Sequence, residues 1–110
     1  MARFHHVNLN VSDENVEAQE AFLVDVLGYR RMELDDKLRS VGARWFEASD
    51  GSQVHLSAQP HVAVEYAADL PGVEERLRNA GVEFKTGEFM GLRITRCTDP
   101  AGNEWELRGA

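Results

Sequence analysis

Apolar and polar residues alternate through two short stretches, "HVNLNV" at 6–11 and "HVAVEY" at 61–66, and a helical pattern follows each. A period of two predicts strands with Val7, Leu9 and Val11 on one face and His6, Asn8 and Asn10 on the other. After the first stretch, Ser12 or Asp13 offers an N-cap, Val16, Phe22, Leu23, Val26 and Leu27 recur at helical spacing, and Gly28 stands where a left-handed residue ends a helix. "YRRMEL" (29–34), "ARWFEAS" (43–49) and "QVHLSA" (53–58) read as strands, with "DDKLRSVG" (35–42) as a loop and "SDG" (49–51) as a turn.

The order then repeats. His61, Ala63 and Glu65 alternate against Val62, Val64 and Tyr66. Asp69 can cap a helix with Pro71 in its first turn, Leu70, Val73, Leu77 and Ala80 mark one helical face, and Gly81 closes it. "GVEFKTG" (81–87), "LRITRCT" (92–98) and "EWELR" (104–108) supply three more strands, the last two joined by the turn "DPAGN" (99–103). The chain thus reads as one α+β domain, residues 1–110, of two βαβββ modules (1–58 and 59–110) that form a curved mixed sheet, a cup with helices on its convex side.

Superposing the halves sets His6 on His61 and "VHL" (54–56) on "WEL" (105–107), so His55 falls on Glu106. If Val7, Val54, Leu56, Val62, Trp105 and Leu107 face the helices, then His6, His55, His61 and Glu106 face the other side of their strands. Three imidazoles and a carboxylate on one surface suit a divalent first-row ion: Zn, Ni, Co, Mn or Fe(II).

Composition narrows the partners. A formal charge of −7 over 110 residues disfavours nucleic acid or an anionic membrane surface and fits a small-molecule substrate. Cys97 is the only cysteine, which rules out an intramolecular disulfide, and no apolar run approaches the roughly 20 residues that span a bilayer. The expected location is the cytoplasm. Only "SAQP" (57–60) separates the modules, and each module alone exposes a sheet edge, so the expected assembly is a homodimer, with exchanged modules as one route to it.

From "HHVNLNVSD" through "LGY" (27–29), "DGSQVHL" (50–56) and "PHVAVE" (60–65) to "DPAGNEWEL" (99–107), the chain resembles the glyoxalase, or vicinal oxygen chelate, superfamily, whose members include bleomycin resistance proteins and dioxygenases. The resemblance implies paired βαβββ modules around a central metal. It maps the family's strand-opening histidines onto His6 and His61 and its closing glutamate onto Glu106. A further ligand, often Glu or Gln in the family, maps onto His55.

Beyond the metal, Asn8, Asn10 and Glu65 share the faces of their histidines and are candidates for the substrate pocket. A hairpin that pairs Thr98 with Glu104 would set Arg96 beside Glu106, as a cation for an anionic substrate or a brace. On "ARWFEAS" two registers are open, Arg44 with Phe46 or Trp45 with Glu47 facing the pocket, and a hydrophobic lining favours Phe46. The expected activity is that of a lyase or isomerase of glyoxalase type. It would bind a substrate through two neighbouring oxygens, with Glu106 as ligand and proton acceptor. The alternatives are a non-haem Fe(II) extradiol-type dioxygenase and a non-catalytic antibiotic-binding protein.

Overall fold

The computed structural model describes residues 2–110 and divides the chain into two compact units. One runs His6–Pro60; the other holds His61–Ala110 and the described residues up to His5. The mixed α+β class is the expected one.

In the first unit the strands are β1 (Arg3–Asn10), β2 (Arg30–Arg31), β3 (Arg44–Glu47) and β4 (Gln53–Ser57), in the order β2-β3-β4-β1. β1 and β4 run parallel, with Val7 opposite Val54 and Asn8 opposite His55, and β3 runs antiparallel to β4, with Trp45 opposite His55. Leu23, Phe46, Val54 and Leu56 form the core, and Val7, Leu9, Val11, Val16, Val24 and Tyr29 pack against it. One face of this sheet is therefore spent on the helix.

Three expectations for this unit change. The first helix begins only at α1 (Val16–Ala21) and continues as one π-helical turn over Phe22–Val26, closed by the Leu27 N–H donating to the Phe22 carbonyl at 3.0 Å. The wider turn advances the following side chains out of α-helical phase. Leu23 is buried while Phe22, Val26 and Leu27 stay exposed, so the apolar face read from the spacing is only partly used. Gly28 ends the segment with φ 83°, as its position suggested. "YRRMEL" shrinks to the two residues of β2. The expected loop at 35–42 contains α2 (Asp36–Ser40), where the Asp35 carboxylate accepts from the Leu38 N–H at 2.9 Å.

The second unit orders its strands β5-β8-β7-β6, with β5 (His61–Ala67) parallel to β8 (Glu104–Gly109), and β8, β7 (Leu92–Thr98) and β6 (Phe84–Phe89) antiparallel. α3 (Leu70–Asn79) covers one face, where Leu70, Val73 and Leu107 are buried and Tyr66, Leu77, Trp105 and Cys97 pack against them. Cys97 is partly buried, and burial raises its thiol above the ordinary pKa. Asp69 holds the N-cap position of α3, but its side chain makes no capping hydrogen bond. β6 lies later than "GVEFKTG" because it runs on into a two-residue hairpin, Met90 and Gly91, with φ 52° and 82°. Left-handed geometry at both central residues matches the strand twist, but a methionine there is not a turn signal.

α3 is also clamped electrostatically. The buried Glu74 carboxylate accepts from Arg93 Nε and Nη2 at 3.0 and 3.1 Å and from the fully buried Thr95 hydroxyl. The Arg93 hydrogen bonds, reinforced by Thr95, hold Glu74 below the usual carboxylate range. A depressed folded-state pKa means that this stabilisation is present above the unfolded value and is lost as pH falls through the lower folded value. Glu74→Gln should lower Tm at pH 7 by about 5 °C, roughly what the loss of a charge-assisted hydrogen bond gives in a domain this size. Its Tm should also fall less than the wild type's on acidification from pH 6 to 3. Parallel thermal melts across that range check both points, and identical pH profiles would remove Glu74 from the account.

Candidate metal and substrate site

On the first unit's sheet, the face turned away from the core carries His6, Asn8 and His55, all buried although polar. The His6 and His55 rings stack at 3.7 Å between centroids with 16° between planes, and Trp45 stacks on His55 at 4.2 Å and 2°. His55 Nε2 lies 2.7 Å from Gln53 Oε1, and the Asn8 side-chain oxygen accepts from the Ser57 hydroxyl at 2.6 Å. Asn10 is exposed at the strand end. His55 is thus held between two rings, with Nε2 beside the Gln53 side-chain amide.

The face of β3 is the reverse of the favoured one. Phe46, 1% exposed, belongs to the core with Leu23 and Val54, and Trp45 takes the histidine face. Phe46 is therefore corrected from pocket wall to core residue. Period two allows either register on β3; the stacking of Trp45 on His55 and the burial of Phe46 in the core decide it. Trp45 is thus a reporter. Adding Zn(II) should change its emission, Trp45→Phe should abolish the change, and Trp105→Phe should leave it intact, as a fluorescence titration will show.

On the second unit, β5 and β8 set Ala63 opposite Glu106, and β7 sets Arg96 opposite Glu106 and Thr98 opposite Glu104, the register expected from the hairpin. The turn that fixes this register is built by Asp99. Its carboxylate accepts from the Ala101 and Asn103 N–H groups at 3.0 and 2.8 Å and from Trp105 Nε1 at 2.9 Å, and these bonds pull its pKa down to about 2. "DPAGNEW" is thus the brace that starts β8 two residues before Glu106.

His61 Nε2 lies 3.9 Å from Glu106 Oε1. Glu106 is buried, and its two oxygens face two guanidiniums: Arg96 Nη2 at 3.3 Å from Oε1 and Arg108 Nη1 at 3.4 Å from Oε2. Arg108 escaped the sequence reading, although its spacing of two residues from Glu106 puts it on the same face of β8; its Nε is buried without a partner among the described residues. Glu65, half-exposed, has His5 Nε2 at 3.8 Å. Burial, and after it the Arg108 charge, push His5 below the ordinary imidazole value.

Donor chemistry and spacing both fit a divalent ion. An imidazole and a carboxylate roughly 3–4 Å apart are placed as two ligands of one ion about 2.1 Å from each would be. The residues on this unit that could hold such an ion are His61 and Glu106.

Residues 3–107 match the Glyoxalase/Bleomycin resistance protein/Dioxygenase superfamily, and the chain belongs to that family. No curated protein matches it. Among solved structures it is similar to the hypothetical protein BH1468 from Bacillus halodurans C-125, with 15% identity over 99% of this chain and 94% of that one and a TM-score of 0.70. It is also similar to a catechol 2,3-dioxygenase, with 19% identity over 97% of this chain and 39% of that one and a TM-score of 0.77. The Mn(II)-bound glyoxalase from Novosphingobium aromaticivorans shares 19% identity over 99% of this chain and 40% of its own, with a TM-score of 0.71. The chain therefore spans about 40% of the length of that dioxygenase and that glyoxalase. At these identities the likeness establishes the fold.

Proposed function

We propose that the protein is a divalent-metal enzyme of glyoxalase type, a lyase or isomerase that binds a small substrate through two neighbouring oxygens. The observation that carries this reading is the 3.9 Å approach of His61 Nε2 to Glu106 Oε1, with the carboxylate aimed by arginines on both sides. His6 completes the ligand set, an assignment that rests on the internal repeat matching it to His61. The ion, when bound, stabilises negative charge developing on a substrate oxygen. The protein's own contribution is to fix the donors, to shield Glu106 from water, and to hold or receive a proton at its carboxylate.

His55, proposed from the sequence as a fourth ligand, serves in this reading as the support for His6. Two histidines and one carboxylate are the facial set of non-haem Fe(II) oxygenases. The engagement of His55 Nε2 by Gln53 is the observation that favours the second reading, an extradiol-type dioxygenase, because it leaves one more position for small molecules. A non-catalytic antibiotic-binding role would need none of these donors.

The deciding experiment is elemental analysis of untagged protein, followed by anaerobic loading with the metal found. Nickel, cobalt, zinc or manganese, with proton transfer or isomerisation of a vicinal-oxygen substrate, supports the first reading. Iron with oxygen uptake on catechol supports the second. Protein without stoichiometric metal and without affinity for any of these ions overturns both.

No described helix is long and apolar enough to cross a membrane. A cytoplasmic homodimer remains part of the proposal, and the exposed Phe22, Val26 and Leu27 supply apolar surface for it. Sedimentation at micromolar concentration should give a dimer mass; a monomer would end that part.

A further inference from the structure

The strand register of the second unit places a row of side chains on one face of the sheet: Glu106 on β8, Arg96 opposite it on β7, and Lys85 opposite Arg96 on β6. Neighbouring strands lie about 4.8 Å apart, so the row carries positive charge from Glu106 outward over roughly 10 Å. Of the acids near it, Glu106 is engaged by Arg96 and Arg108 and Glu104 by the Thr98 hydroxyl, while Glu88, opposite Arg93 in the strand register, also borders the cavity over β6 and β7. Lys85 makes no ion pair among the described residues, in a chain whose formal charge is −7.

The surface beneath these cations is concave and apolar. A cavity of about 190 Å³ lies over β6 and β7, with Lys85 and Arg96 joined by Gly87, Phe89 and Ile94 among its lining residues. Ile94 is 4% exposed and turns to this face because its neighbour Thr95 bonds Glu74 on the helix side. Gly87 sits in the strand without positive φ, and a Cβ added there would meet nothing within 4 Å, so the glycine leaves open volume rather than relieving strain.

We propose that this row is the specificity subsite for the substrate's distal end, and that the substrate is an anion: a flat or short apolar body with a carboxylate, or a group of like charge, on the side away from its two chelating oxygens. The inference rests on the reading of Glu106 as a metal ligand and adds the substrate class. The apolar cavity takes the body, Lys85 takes the anionic group, and Arg96 bridges between Glu106 and that group. Locally concentrated positive charge also draws an anion towards a protein that would otherwise repel it.

A matched pair of inert chelators tests this: 3,4-dihydroxybenzoate, whose carboxylate lies across the ring from its two oxygens, and its neutral amide, 3,4-dihydroxybenzamide. Calorimetric titration of the Zn(II)-loaded chain should show the benzoate bound about tenfold more tightly, as expected for a charge-assisted hydrogen bond. Lys85→Met should remove most of that preference while the amide affinity and zinc content stay within about twofold of wild type. Gly87→Val, which fills the cavity and changes no charge, should weaken both chelators by about tenfold at unchanged zinc content. Equal affinity for the two chelators in the wild type, or an equal loss of both in Lys85→Met, overturns the subsite. The same pair is titrated into metal-free protein. If zinc does not bind at all, the metal reading fails, and the charge preference measured there decides the subsite by itself.

Discussion

Glu106→Ala should lower the affinity for Zn(II) or Mn(II) by about a hundredfold or more while the circular dichroism spectrum stays that of the wild type. Removing a carboxylate ligand deletes both a coordination bond and the only negative charge of the set, and it leaves Arg96 and Arg108 facing the site with nothing to neutralise them. The fold should survive because Glu106 belongs to neither core, and its strand is held by the Asp99 turn and by pairing on both sides. His61→Ala and His6→Ala should each cost at least about tenfold, and His55→Ala less, because it disturbs His6 only through the ring stack. Competition with a chelating dye measures all four. Metal affinity within about threefold of wild type in Glu106→Ala would refute the site, and a loss in His55→Ala as large as in His6→Ala would return His55 to the ligand set.

Phe46→Ala should destabilise the protein by about 3–5 kcal/mol, the usual loss when a buried phenylalanine leaves a cavity, and a large part of what a small domain has. Phe46 is among the largest fully buried side chains and is packed with Leu23, Val54 and Leu56, so the surrounding chain has little freedom to collapse into the gap. Trp45→Ala, one residue away on the other face, should do the reverse: a smaller stability loss and a larger change in metal or chelator binding. Urea unfolding followed by far-ultraviolet dichroism separates the two, with Phe46→Leu as the milder variant if alanine leaves too little folded protein. A Phe46→Ala chain as stable as wild type would show that this side chain is not part of the core.

Where the sequence reading succeeded, local pattern and tertiary need coincide. At 61–66 Val62, Val64 and Tyr66 alternate with His61, Ala63 and Glu65, and Tyr66 packs against the core under α3, while the Thr98–Glu104 register followed from a turn whose residues can form it in only a few ways. It failed where packing competes with local preference. The spacing of Phe22, Val26 and Leu27 reads as an α-helical face, yet a π turn spends one residue and only Leu23 reaches the core. On β3, "RWFE" offers an aromatic residue to either face, and period two is indifferent to which.

By itself the sequence determined the α+β class, the doubled strand-helix-strand order, the pairing of His6 with His61 and of His55 with Glu106 as equivalent positions, and the family. These follow from periodicity and from residue types at turns, which act over a few neighbouring residues. Only the tertiary structure decided that Trp45 rather than Phe46 accompanies the histidines, that Gln53 and two rings hold His55, that Arg108 joins Arg96 at the Glu106 carboxylate, and that Lys85 lies opposite Arg96. Those are contacts between side chains that share one face of a strand or lie on paired strands. Their geometry depends on register, twist and the competition for a limited buried volume, none of which is written in any single segment.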